Sequence, residues 1–276
     1  MRRWSAAPYL LWSAVFVIVP LFLVLFLSVV RMDPSGISFT PEYFSRFAEP
    51  IYISVFWRSI RLALFSTLLC IAIGYPSAMI LANVAPKLRN TLVLLFILPM
   101  WMNFLLRTYA WMTILGRNGL INHFLEMLHL PAMNLLYNEG AVLLGMVYNF
   151  LPFMVLPIYT VLIKMDSAIL EAAEDLGANS FRKFISVVLP LSLPGVFSGV
   201  TMVFMPAVST FVISDLLGGG QNMLIGNLVE QQFLVTGDWH FGSAISMLMM
   251  AMILISIAIM SRFDSQSDDG GGANLW

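Results

Sequence analysis

The chain has 276 residues, of which 59% are hydrophobic and only 11% charged, with a formal net charge of −1 and a mean hydropathy of +0.87. Soluble domains carry roughly a quarter charged residues, so this composition cannot cover a water-facing surface. The near-neutral charge argues against a nucleic-acid partner, and a single cysteine, Cys70, excludes an internal disulfide.

Six apolar stretches reach the roughly 20 residues that cross a bilayer. The first, Pro8–Val30, follows Arg2 and Arg3. Its apolar run is far longer than the roughly 7–15 residues of a secretion signal, and no small-residue cleavage site follows, so it reads as a retained helix. The arginine pair, which also fits a twin-arginine export signal, is read as part of a cytoplasmic tail. The second span, Leu62–Pro86, reverses through "PKLRN" into the third, Asn90–Gly116, which Arg107 interrupts. The fourth is Ala141–Ile163. The fifth, Phe184–Ser214, is overlong and holds Pro190, Pro194 and Pro206, and the sixth is Phe241–Ser261. Beyond residue 262 the acidic, glycine-rich stretch 263–276 has no apolar period and is expected to be disordered. The chain therefore reads as an all-α membrane protein with six transmembrane helices in one domain, residues 1–262.

An even number of spans puts both termini on one side. With the N-terminus inside, the inner segments carry Arg2, Arg3, Lys87, Arg89, Lys164, Arg182, Lys183 and Arg262, against Arg31, Arg46, Arg58, Arg61 and Arg117 outside. That excess favours cytoplasmic termini. No internal repeat of broken segments stands out, which argues against an inverted-repeat secondary transporter.

The inner link between the fourth and fifth spans holds the densest polar run, "DSAILEAAEDLGANSFRKFISVVLP", residues 166–190. Asp166 or Ser167 can cap a short helix, with Ile169, Leu170, Ala172, Ala173 and Leu176 on one face and Glu171, Glu174 and Asp175 on the other. Gly177 fits the left-handed position that closes such a helix, and Ser180 can cap the next. Helices that lie on lipid are usually rich in Lys and Arg, whereas this one is acidic. Arg182 and Lys183 alone are a poor footprint for DNA. A stiff elbow that docks into a protein socket remains.

This run resembles the EAA signature of bacterial ABC importer permeases: Glu171, Ala172, Ala173, Gly177, Leu189 and Pro190 match, with Val187 at the isoleucine position. "ILPMWMN", "LPFMVLPIY" and "SDLLGGGQNMLIGNL" are similar to the permease subunit of spermidine/putrescine importers, and the likeness extends over most of residues 8–262. The resemblance implies a type I ABC importer permease fold in the bacterial inner membrane. It makes the elbow, about residues 167–177, a coupling helix that docks on a cytoplasmic ATPase. The implied partners are a second permease, two ATPases that bind ATP-Mg, and an extracytoplasmic binding protein that delivers a polyamine. The chain has no phosphate loop of the form G-x-x-x-x-G-K-[ST], so it holds no ATP site or cofactor of its own and is not itself an enzyme.

Candidate substrate contacts are few. Asp215 follows the fifth span and precedes Gly218, Gly219 and Gly220, and reads either as a path-lining acid or as a water-exposed helix-end acid. Glu230 is a second acid in the same outer segment. Trp101, between Pro99 and Asn103 at an expected kink, is either a ring face for an ammonium or a packing residue. Arg107 lies near the outer end of its span and is read as snorkelling or structurally paired rather than as a transport residue. His123, His129 and His240 have no metal-ligand spacing. The alternatives to a polyamine importer are a sibling importer for another small solute and a self-contained secondary transporter. An intramembrane enzyme is disfavoured, because no span carries a nucleophile–base pair.

Overall fold

The computed structural model describes residues 7–33 and 36–268. Arg2 and Arg3, on which the expected sidedness partly rests, lie outside them. The chain opens with helix α1 (Ala7–Ser13), a π-turn (Ala14–Ile18) and α2 (Val19–Val29). Pro20 explains the wide turn: a proline ring clashes with the carbonyl four residues back, and one extra residue in the turn relieves the clash. Among the described residues the only strands are a short antiparallel pair, β1 (Val30–Asp33) with β2 (Gly36–Phe39), in register Val30 to Phe39.

After α3 (Glu42–Phe47), helix α4 (Pro50–Asn83) runs 34 residues and starts twelve residues before the expected Leu62, so Arg58 and Arg61 sit on the helix body. The reversal at 84–85 is held by Arg89, which donates to Ala82 O at 2.9 Å and Val84 O at 3.2 Å. The third expected span is not one straight helix. It divides into α5 (Pro86–Ile97), a 3-10 turn (Leu98–Trp101) and α6 (Phe104–Leu115), with a 92° bend at the break. Pro99 cannot continue the helix, and the Asn103 side chain accepts from Leu105 N to start a new one. Helix α7 (Leu120–Met127) follows, then α8 (Glu139–Ile163), two residues longer than expected.

Past α9 (Ser167–Asp175) and α10 (Ser180–Lys183), a second π-turn (Phe184–Val188) precedes Pro190, as the first precedes Pro20. Helix α11 (Leu189–Ser209) ends before the expected Ser214, and the chain restarts as α12 (Val212–Gly218) and α13 (Ile225–Glu230). A third π-turn (Gln231–Thr236) leads to α14 (Trp239–Asp268). Residues 263–268 of the expected disordered tail are thus helical, while 269–276 lie outside the described residues. Five helical segments are long and apolar enough to cross a membrane, and the bent α5–α6 region makes the sixth.

Helix α8 is the centre, packed between α4 and α11, with Val142, Met146, Met154, Val155 and Ile158 fully buried. Without a hydrophobic drive between helices in lipid, close approach depends on small residues. Met154 fits between Gly74 of α4 and Gly199 of α11, where an added Cβ would come within 2.9 Å of its Cγ and 2.7 Å of its Sδ. Because α8 and α11 run antiparallel from the elbow, α12 and α13 lie at the opposite end of the bundle.

Candidate functional site

The elbow forms as the sequence suggests and is sharply defined. Asp166, not Ser167, caps α9 by accepting from Ala168 N at 2.9 Å. At the other end Gly177 adopts φ +80°, which allows Gly177 N to reach Glu174 O at 2.8 Å and Ala178 N to reach Ala173 O at 3.0 Å. These bonds close the helix on its own last carbonyls. Asn179, rather than the expected Ser180, caps α10 by accepting from Arg182 N at 2.8 Å. Lys183 pairs with Glu174 across the bend.

None of α9 is buried: Glu171, Ala172 and Gly177 are exposed and Ala173 is half-buried. Two large apolar side chains of the elbow stand out in solvent, Leu176 at 89% and Phe181 at 72% exposure. Two bare hydrophobic side chains thus flank a capped, acidic turn. Phe181 escaped the sequence reading because it sits in a short polar run with no apolar period of its own.

At the far end of the bundle, Asp215 and Glu230 are brought together. Asp215 lies inside α12, not at the end of the long helix, because the chain breaks into extended backbone at Thr210. Gly145 of α8 seats α12: a Cβ there would meet Ile213 at 2.9 Å and collide with Leu217. Gly219, at φ +60°, ends α12 and turns the chain toward α13.

Asn227, which the sequence reading missed, joins the two short helices. Its Nδ2 donates to Asp215 Oδ1 at 2.6 Å and to Phe211 O at 2.9 Å, and its Oδ1 accepts from Leu224 N at 2.9 Å and from the Ser214 hydroxyl. All four of its hydrogen-bonding positions are filled. Ile225 N donates to Ser59 Oγ at 2.8 Å, which ties α13 to α4.

The Asp215 and Glu230 carboxyls are close enough to shift each other's titration. Partial desolvation raises the Asp215 carboxyl above its ordinary value, against the lowering effect of Glu230 and of the bond from Asn227. Desolvation also raises Glu230, and the neighbouring Asp215 charge adds to it. Asp215 is exposed and Glu230 half-buried, so the pair is open to a cationic ligand.

Other sequence candidates stand apart. Trp101, 76% exposed, sits on the 3-10 turn before the bend, away from this hydrogen-bond cluster. Arg107 has no ion pair among the described residues: it is 8% exposed, its Nε and Nη1 are buried without a hydrogen-bond partner, and the Phe104 ring lies 5.9 Å from its guanidinium carbon. It lies on α6, just past the 92° bend between Trp101 and Phe104, rather than far along one straight span. Among the described residues no group of His, Cys, Asp and Glu is arranged to hold a metal ion. His123 faces Glu126 at 3.8 Å, and His240 stacks on Tyr43. Arg61 pairs with Glu139 at 2.6 Å and so pins α4 to the start of α8.

Residues 71–266 match the family of binding-protein-dependent transport system inner membrane components. The chain belongs to this family. It is 39% identical to the spermidine/putrescine transport system permease protein PotB of Haemophilus influenzae, over 91% of this chain and 90% of that one. Against PotB of Escherichia coli the identity is 38%, over 91% and 93%. The inner membrane ABC transporter permease YdcU of Escherichia coli is 27% identical over 92% and 86%. Among solved structures, a chain of a bacterial ABC transporter for import of the polysaccharide alginate superposes with a TM-score of 0.81 at 14% identity, over 96% of both chains. The fold is that of a type I ABC importer permease, in a multi-pass inner membrane protein. Family membership sets aside the self-contained secondary transporter.

Proposed function

We propose that this chain is the permease subunit of an ATP-driven importer and forms part of the path for spermidine or putrescine. The observation that carries this reading is likeness to PotB at 37–39% identity through nine-tenths of the chain. In this reading the elbow end is cytoplasmic, and α9 docks on an ATPase through Leu176, Phe181 and the acidic side of Glu171. Glu171, Ala172, Ala173 and Gly177 are the coupling residues. ATP-Mg is bound and hydrolysed by two such ATPases, while a second permease and an extracytoplasmic binding protein complete the complex.

The far-end cluster suits the cargo. A polyamine is a flexible chain with several ammonium groups, and its path needs acceptors without a deep trap. Asp215 and Glu230 supply carboxylates that an ammonium can meet while Asn227 holds their geometry. Trp101 supplies a separate ring face, worth about 0.5–2 kcal/mol per ammonium according to desolvation. These contacts are weak and sequential, which favours passage over retention.

The test is radiolabelled spermidine uptake by the complete complex in proteoliposomes, alongside ATP hydrolysis. Asp215→Asn and Trp101→Leu should each lower uptake while assembly with the ATPase persists. Preferential transport of an anionic or neutral solute would defeat the polyamine reading. Uptake that continues without ATP would defeat the importer.

A further inference from the structure

We propose that Tyr75 is the positioning residue through which movement of the elbow enters the helical core, an inference that rests on the coupling role above. Tyr75 lies on α4, eight residues before its end at Asn83, and is buried at 8% exposure. Its ring meets that of Phe184 edge-on, with centroids 5.7 Å apart and planes at 80°. Phe184 opens the π-turn and directly follows Lys183, which is paired with Glu174 of the elbow. The Tyr75 hydroxyl lies 2.7 Å from Ser192 Oγ. Ser192 is fully buried and uses its own proton on Leu189 O at 3.0 Å, so Tyr75 is the donor between them.

Tyr75 therefore grips the chain on both sides of the π-turn, at Phe184 and at Ser192. That turn is where the regular hydrogen-bond ladder of the helix is loosest, because Pro190 brings no N–H and the wide turn makes room for its ring. Unbridged, such a turn would absorb a push from the elbow by bending. Bridged by a buried tyrosine, its two ends move together with α4. The same helix carries Ser59 sixteen residues earlier, about 24 Å along the axis, where it accepts from Ile225 N of the acid cluster. A single helix, continuous through Pro76, thus touches the start of the lever at one end and the cargo site at the other.

The experiment uses the complete complex with its second permease, ATPases and binding protein in proteoliposomes, with radiolabelled spermidine as probe. Spermidine taken up per ATP hydrolysed is measured with basal ATPase activity and the amount of assembled complex. Tyr75→Phe keeps the ring and removes only the donor. It should lower uptake per ATP about fivefold, the shift that corresponds to one buried neutral hydrogen bond. Basal hydrolysis and assembly should be unchanged. Ser192→Ala should do the same, the double variant should be no worse than either, and Ser192→Thr should retain coupling. Wild-type uptake per ATP in Tyr75→Phe overturns the inference, as do losses that multiply in the double variant or that track a loss of assembled complex. If the wild-type complex itself does not couple spermidine uptake to hydrolysis, the functional reading fails first and this inference with it.

Discussion

Asn227, on the short helix that ends at Glu230, donates to Asp215 Oδ1 at 2.6 Å, and the Asp215 and Glu230 carboxyls, fifteen residues apart in the chain, feel each other's charge. Both carboxyls titrate above their ordinary values, chiefly through desolvation, and Glu230 is raised further by the Asp215 charge. As pH falls, the pair therefore gains a proton earlier than free carboxylates would and loses one negative charge. Attraction for an ammonium is complete above the raised values and is lost on acidification through them. Spermidine uptake should show an acid limb in that window. Glu230→Gln removes the group that takes the first proton, so the limb should move to lower pH. A pH profile of uptake, with hydrolysis recorded in parallel, checks this; an unmoved limb would mean the pair does not control it.

Asn227 sets the shape of the cluster. Asn227→Ala leaves Leu224 N without its acceptor and takes one donor each from the Asp215 carboxylate and Phe211 O, at about 1–3 kcal/mol for each group that water does not reach. Asn227→Asp is nearly isosteric but turns an acceptor toward Asp215 Oδ1, so it should cost at least as much as the truncation. Thermal unfolding of the purified permease in detergent should place both variants below wild type. A wild-type midpoint for Asn227→Asp would show that the 2.6 Å contact contributes nothing to the fold.

The helical class, the elbow and the identity of the two acids were legible in the sequence because each leaves a local mark. Twenty apolar residues, an Asp-x-x cap with a closing glycine, and carboxylates in an apolar chain need no tertiary knowledge. The bend after Trp101 was legible as a kink from Pro99 and Asn103, but the break at Thr210 was not legible as a helix end. In a hydrophobic stretch the residues on both sides of a break look alike, and the cause lies in packing against Gly145 and Gly226 from other helices. Asn227 was hidden for the same reason. A single amide in "MLIGNLVE" gives no sign that it meets a carboxylate twelve residues earlier. Arg107 was misplaced because its depth was counted along a straight helix that bends by 92°.

Gly177 tests the lever. Its backbone sits at φ +80°, and a Cβ added there would meet nothing within 4 Å, so substitution costs strain alone, without a clash. Gly177→Val should cost about 1–2 kcal/mol locally and misaim α9, while Gly177→Asn, which tolerates the left-handed region, should be milder. Uptake should fall in that order, with insertion and spermidine binding to the extracytoplasmic protein unaffected. Charge reversal at Glu171 probes the docked face without altering the turn. Normal uptake and normal stimulation of hydrolysis in Gly177→Val would remove the coupling assignment.

Arg107 allows a test whose sign separates two roles. At 8% exposure, with Nε and Nη1 buried and without a partner among the described residues, the Arg107 guanidinium is a largely desolvated charge. Breaking a buried ion pair destabilises a protein by several kcal/mol, but removing a charge that has no partner relieves a penalty. Arg107→Met keeps the unbranched apolar stem and removes the guanidinium together with its approach to the Phe104 ring. The isolated permease carrying it should therefore melt higher than wild type by a few degrees, as about 1–2 kcal/mol of relief implies for a chain of this size. The same substitution in the complete complex should leave the melting midpoint unchanged or lower it if a carboxylate from the second permease meets Arg107 on assembly. Scanning calorimetry of the two preparations measures both signs. A lower midpoint already in the isolated chain would mean that Arg107 is compensated there, by lipid phosphate or by water, and is a structural residue after all.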